Sequence, residues 1–189
     1  MALFRTVDPL AEPLTLAEAK AHLRVSHDDE DELIGSLIAV ARRHVEADTG
    51  LALLAQSWRL TLDDWPEGDV AAIPLHPVVA VAGVTLFGPD GAGAILDSSA
   101  YELDRFSRPA RLGFSQPGAA LKRFNGIEID IAAGFGEAGT DVPDTLRRAM
   151  LMLVGHFFEF RAEYGAADQP VSIPAGYERL VAPWRARRL

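Results

Sequence analysis

Residues 13–50, PLTLAEAKAHLRVSHDDEDELIGSLIAVARRHVEADTG, carry the clearest structural instruction in the chain. Thr15 opens a short helix, with Glu18 three residues later in capping-box spacing, where each side chain satisfies a backbone N–H left over at the helix start. Leu16, Ala19 and Leu23 give that helix one apolar stripe. A second start signal falls at Ser26–Asp28. The acidic run Asp28, Asp29, Glu30, Asp31, Glu32 is expected in the first turn of the next helix, where the macrodipole favours negative charge. Leu33, Ile34, Leu37, Ile38, Ala41 and Val45 then recur at helical spacing, and Gly50 supplies a C-terminal stop.

On the N-terminal side, residues 1–13 contain proline and read as an extended arm. On the C-terminal side the period changes to two from Gln56, where Trp58, Leu60 and Leu62 alternate with polar residues as in a half-buried strand. Further β-like runs follow at Val79–Phe87, Tyr101–Asp104, Arg111–Ser115 and Ile127–Ala133, divided by turn signals such as Gly88-Pro89-Asp90-Gly91. Short strands with such breaks predict a small antiparallel sheet rather than βαβ units. Pro143 sits at a favoured first helical position. The helix after it carries Leu146, Ala149, Met150, Leu153, Val154, Phe157 and Phe158, with Leu151 and Met152 widening the apolar surface, and is expected to end near Gly165. A helix this apolar is central to a core or shared with a neighbouring subunit. Leu151, Met152 and Phe158 are therefore candidate subunit-interface residues. The remainder is punctuated by Pro170, Pro174 and Pro183 and has room for one short helix at most, around Ala175–Val181.

The expected fold is α+β and mainly α. Its parts are an N-terminal arm and helical pair over 1–55, an inserted antiparallel β region over 56–140, a long helix over 141–165 packing with the N-terminal helices, and an extended C-terminal docking tail over 166–189.

Composition limits the function. The chain has 189 residues, enough to bury a core without a metal or disulfide. It has no cysteine, which excludes thiolate sites and cysteine nucleophiles and suits a reducing compartment. No apolar run of ~18 residues predicts a membrane span, and the N-terminus lacks the pattern of a signal peptide. A net charge of −9 argues against general duplex-DNA binding. The charge is uneven: residues 1–50 hold ten Asp/Glu against five Lys/Arg, whereas 171–189 hold four Arg against one Glu. Such asymmetry marks different partners at the two ends.

Catalytic motifs fail on context. Gly134-Phe135-Gly136-Glu137-Ala138-Gly139 matches G-x-G-x-x-G, but a dinucleotide site needs its helix to begin within those glycines, and here the next start is delayed to Pro143. The plain reading is a strand-to-helix turn. The histidines, His22, His27, His44, His76 and His156, match no established zinc spacing. No serine lies in a nucleophile elbow, and the acidic run lacks the alternating ligands and central glycine of a calcium loop. No catalytic residue, metal or cofactor is expected. The tail differs. Arg179, Trp184, Arg185, Arg187 and Arg188 combine arginine with a large aromatic, the types that concentrate binding energy at interfaces, and Trp184 follows Pro183 in a segment too short to form its own core. They are read as a docking segment, against the plain alternative of a disordered basic end.

Taken in order, these pieces resemble the head–tail connector (adaptor) proteins of long-tailed phages and gene transfer agents. The resemblance rests on residues 13–50, on PLHPVVAVAGVTLFGPDG (74–91), AYELD (100–104), IEIDIAAGFG (127–136) and VPDTLRRAMLMLVGHFFEFR (142–161), and on the closing IPAGYERLVAPWR (173–185). It implies a non-catalytic ring subunit, commonly of twelve copies, in the neck of a virion or phage-like particle made in the bacterial cytoplasm. The ring would lie below the portal protein, with a stopper or other neck protein on its opposite face. DNA would pass through the channel without sequence-specific contact, and the docking residues of the tail would meet the portal. The alternative is a non-catalytic helical DNA-binding or regulatory protein using its basic tail. A metal enzyme built on His22, His27 and the acidic run is a further alternative.

Overall fold

The computed structural model describes residues 1–115, 117–160 and 173–185. The chain divides into two compact units, one of Met1–Leu10 with Ala55–Phe135, the other of Ala11–Leu54 with Gly136–Leu189.

The first unit is built on β strands, with short 3-10 turns at Glu67–Asp69 and Ser98–Ala100. Strands β1 (Ala2–Val7), β2 (Gln56–Leu62), β3 (Val70–Ile73), β4 (Val78–Phe87), β5 (Gly93–Ile95), β6 (Tyr101–Asp104), β7 (Ala110–Phe114) and β8 (Ile127–Ala133) form two antiparallel sheets where one was expected. Their orders are β1-β2-β8-β4-β5 and β3-β7-β6. Strand β8 is central, paired to β2 on one side and β4 on the other. Its strict alternation sends Ile127, Ile129, Ile131 and Ala133 into the core, because successive side chains point to opposite faces. On the other face Arg59 of β2 reaches Asp130 at 2.7 Å and Glu128 at 2.8 Å. The expected arm is instead edge strand β1, whose backbone pairs with β2 from Ala2↔Thr61 to Val7↔Ser57. The glycine run after β8 follows a strand that is antiparallel to both neighbours, so the parallel unit a dinucleotide fold requires does not form. Gly134 takes φ 132° there while its N–H donates to the Pro77 carbonyl.

The second unit is helical. Helix α1 (Leu16–Leu23) begins with the expected box, in which Thr15 Oγ1 accepts from the Glu18 N–H and Glu18 Oε2 accepts from the Thr15 N–H. Helix α2 runs Asp31–Thr49. It starts later than the Ser26–Asp28 signal because Lys20 Nζ draws Asp28 and Asp31 together, 2.6 Å from each, and holds the intervening residues in a turn. Gly50 closes the helix in the left-handed region, φ 70°. Helix α3 is Asp144–Glu159 with Pro143 as N-cap rather than first helical residue. It ends earlier than expected, since Phe160 leaves helical backbone angles while its N–H still reaches the His156 carbonyl. Residue 165 lies outside the described residues.

The last described segment is not extended. It forms helix α4 (Ala175–Val181) and a 3-10 turn at Ala182–Trp184. Helix α2 packs on α3, α3 on α4, and α1 on both α2 and α3. Ile34, Ile38, Val45, Leu146, Met150, Leu153, Tyr177 and Val181 are buried among them. Among the described residues helix and strand both contribute substantially, so the α+β class holds there without a marked predominance of helix. Among the described residues no helix is long and apolar enough to cross a membrane.

Candidate functional site

The candidate docking residues converge on the end of α2. Two acids, Glu46 and Asp48, lie in the last turns of that helix, where exposed carbonyls disfavour negative charge and no basic residue of the last turn offsets them. Each is neutralised by an arginine. Arg42, one turn earlier, holds Glu46 at 3.1 Å and is forked onto Glu12 at 2.8 and 3.1 Å. Arg42 and Glu46 are only 3% and 6% exposed, and the second Glu46 oxygen accepts from the Leu53 N–H at 3.0 Å. Arg42 and Glu46 are thus enclosed with their charges paired, and Glu12 stands at the more exposed end of the network.

Asp48 is held from the far end of the chain. Arg185 donates from Nε to Oδ1 at 2.9 Å and from Nη2 to Oδ2 at 2.7 Å, and from Nη1 to Glu178 Oε2 at 2.7 Å. Tyr177, fully buried, donates its hydroxyl to Asp48 Oδ2 at 2.9 Å. Burial works against the Asp48 charge, but the bonds from Arg185 and Tyr177 outweigh it and hold the carboxyl below its ordinary range. Burial, then the hydrogen bond to Asp48 and its charge, pushes the Tyr177 phenol well up. The bonds to Asp48 and Glu178 raise Arg185.

Helix α4 lies close against α3 at Gly176, where a Cβ would stand 2.5 Å from the terminal methyl of Met152. Beyond it, Trp184 Nε1 donates to Thr145 Oγ1 at 3.1 Å. His44 stands edge-on to the Tyr177 ring at 5.6 Å. Together His44, Ala47, Asp48, Ile173, Glu178 and Arg185 line an open depression of about 400 Å³. Tyr177, Trp184 and Arg185 form a clasp with Asp48 and Thr145 that ties the described C-terminal segment to α2 and α3.

Of the candidate docking residues, Trp184 and Arg185 are thus brought together, both half-buried, and Arg179 is exposed on α4. Arg187 and Arg188 lie outside the described residues. Of the candidate interface residues, Leu151 and Met152 are half-buried and Phe158 is buried at 8% exposure. Asp48, Thr145 and His44 were not singled out from the sequence, yet an acid at the wrong end of a helix dipole was a signal for a distant cation. His22 and His27 do not join. His22 lies beside Gly155 of α3, while His27 faces Asp29 at 3.6 Å. Among the described residues no three His, Asp or Glu side chains group to hold a metal ion.

Residues 13–86 match the family described as phage gp6-like head-tail connector protein. No curated protein matches. Among solved structures, a chain from the neck of an empty gene-transfer-agent particle, computed with C6 symmetry, is 26% identical with a TM-score of 0.85, over 100% of this chain and 97% of that one. A chain of the native gene-transfer-agent virion is 28% identical with a TM-score of 0.79, over 100% and 97%. A chain from the native particle's neck, computed with C12 symmetry, is 25% identical with a TM-score of 0.73, over 97% of each. These likenesses span both units, so the β unit belongs to the shared fold.

Proposed function

We propose that this chain, a head–tail connector protein by family match and by fold, is a structural, non-catalytic ring subunit in the neck of a phage-like particle. The observation that carries the reading is the agreement over the full length with a gene-transfer-agent neck chain, at a TM-score of 0.85. The ring, of twelve copies, lies below the portal protein, receives a stopper or other neck protein on its opposite face, and lets DNA through its channel. The symmetry of the matched necks supports a ring. The acidic balance supports passage, because a lumen rich in cations would hold phosphate back. Arg179, Trp184, Arg185, Arg187 and Arg188 form the portal-facing end of each subunit, and Leu151, Met152 and Phe158 contribute to the contact with a neighbour.

Electron microscopy of particles made without this chain tests the neck assignment. DNA-filled heads without tails are expected, and tailed, DNA-delivering particles would overturn it. Truncation after Val181 keeps Tyr177 and Val181 in the core but removes Trp184 and Arg185. The shortened chain should fold and fail to join portal-bearing heads. Normal joining would remove the docking role.

A further inference from the structure

The hairpin between β6 and β7 presents an aromatic side chain to solvent on a turn that is internally locked. Asp104 accepts from the Phe106 and Ser107 N–H groups at 3.1 and 3.2 Å and from Ser107 Oγ at 2.7 Å, and it binds Arg111 Nη2 at 2.6 Å. These bonds hold the Asp104 carboxyl far below its ordinary range. Phe106 is 86% exposed, with the Arg105 guanidinium 5.2 Å from its ring centroid. Arg108 is also exposed. From Asp104 to Arg111 the chain has three arginines against one aspartate, so the tip is electropositive in a chain of net charge −9. An immobilised aromatic flanked by arginines binds with little ordering cost, and these residue types dominate interface energies.

The counter-surface is present in the same sequence. The turn joining α1 to α2 carries Asp28, Asp29, Glu30, Asp31 and Glu32. Lys20 engages only Asp28 and Asp31, and the Asp29 side chain is 93% exposed. Among the described residues, Arg105 and Phe106 of the tip and Asp29 and Glu32 of the turn are exposed. A closed head-to-tail ring needs two different surfaces per subunit that complement each other. We propose that the β6–β7 tip docks, through Phe106, Arg105 and Arg108, on the α1–α2 turn of a second copy of this chain. The proposal rests on the reading of the chain as a ring subunit.

The test places the photo-crosslinker p-benzoylphenylalanine at position 106 of the full chain in assembled particles, which keeps a large aromatic there. The expected product is a covalent dimer of this chain whose second site maps to residues 26–32. The double variant Arg105→Glu with Arg108→Glu should reduce that dimer about tenfold. Adding Asp29→Arg with Glu32→Arg should restore most of it. Crosslinking to a different neck protein, to another surface of the chain, or to nothing would overturn the contact while leaving the neck assignment standing. Absence of the chain from purified particles by immunoblot would overturn both.

Discussion

Arg185 grips Asp48 with two parallel hydrogen bonds of 2.9 and 2.7 Å across 137 positions of sequence. A forked guanidinium–carboxylate pair has a fixed geometry, so it orients α4 as well as neutralising the end of α2. Tyr177 binds the same carboxylate from inside the core.

Replacing Asp48 by alanine leaves the buried Tyr177 hydroxyl without its acceptor. A loss of about 1–3 kcal/mol is expected in denaturant unfolding. Tyr177→Phe removes one bond and should cost about 1 kcal/mol. Tyr177→Ala also opens a cavity and should cost about 3–5 kcal/mol. The Asp48 carboxyl is depressed by folding, so its contribution is present above the ordinary carboxylate value of about 3.8 and is lost as pH falls through its lowered folded value. Asp48→Asn should flatten acid unfolding in that window.

The Arg42 cluster predicts an asymmetry. Arg42→Ala strands the Glu46 charge in the core and should cost about 3–5 kcal/mol. Glu12→Gln, at the more exposed end of the same network, should cost about 1 kcal/mol or less. Equal losses in thermal unfolding would contradict the enclosed geometry.

His22 and His76 set the behaviour nearer neutrality. Burial lowers both, with Arg148 adding to the effect at His22 and Arg108 at His76, so the folded chain binds fewer protons there than the unfolded chain. Stability therefore falls as pH drops below about 6.5, the ordinary histidine value, and the loss saturates below the folded value. His22→Gln should remove its share of that slope, measured by urea unfolding between pH 5 and 7, roughly the histidine window.

Thr15→Ala deletes the acceptor for the Glu18 N–H and should cost about 1 kcal/mol. Glu18 also binds Arg147 of α3, so helix content and unfolding midpoint should fall together in circular dichroism.

Local chemistry alone determined a large part of this protein. The box at Thr15 and Glu18, the stop at Gly50, and the strands around Trp58–Leu62 and Ile127–Ala133 were legible because a cap, a left-handed residue and a two-residue period are each written within a few positions. So was the short helix near Ala175–Val181. The strand Ala2–Val7 was not, because its extended backbone becomes a strand only when β2 offers its edge. Val70–Ile73 and Gly93–Ile95 were too short to show a period. The division into two sheets followed from pairings between distant strands, which no local pattern contains. The tail shows the difference most sharply. Its arginines and Trp184 announced an interaction surface, but only the tertiary structure decided that Arg185 closes on Asp48 and Trp184 on Thr145, because a hydrogen bond is selected by which side chains folding brings within about 3 Å and not by their separation in sequence.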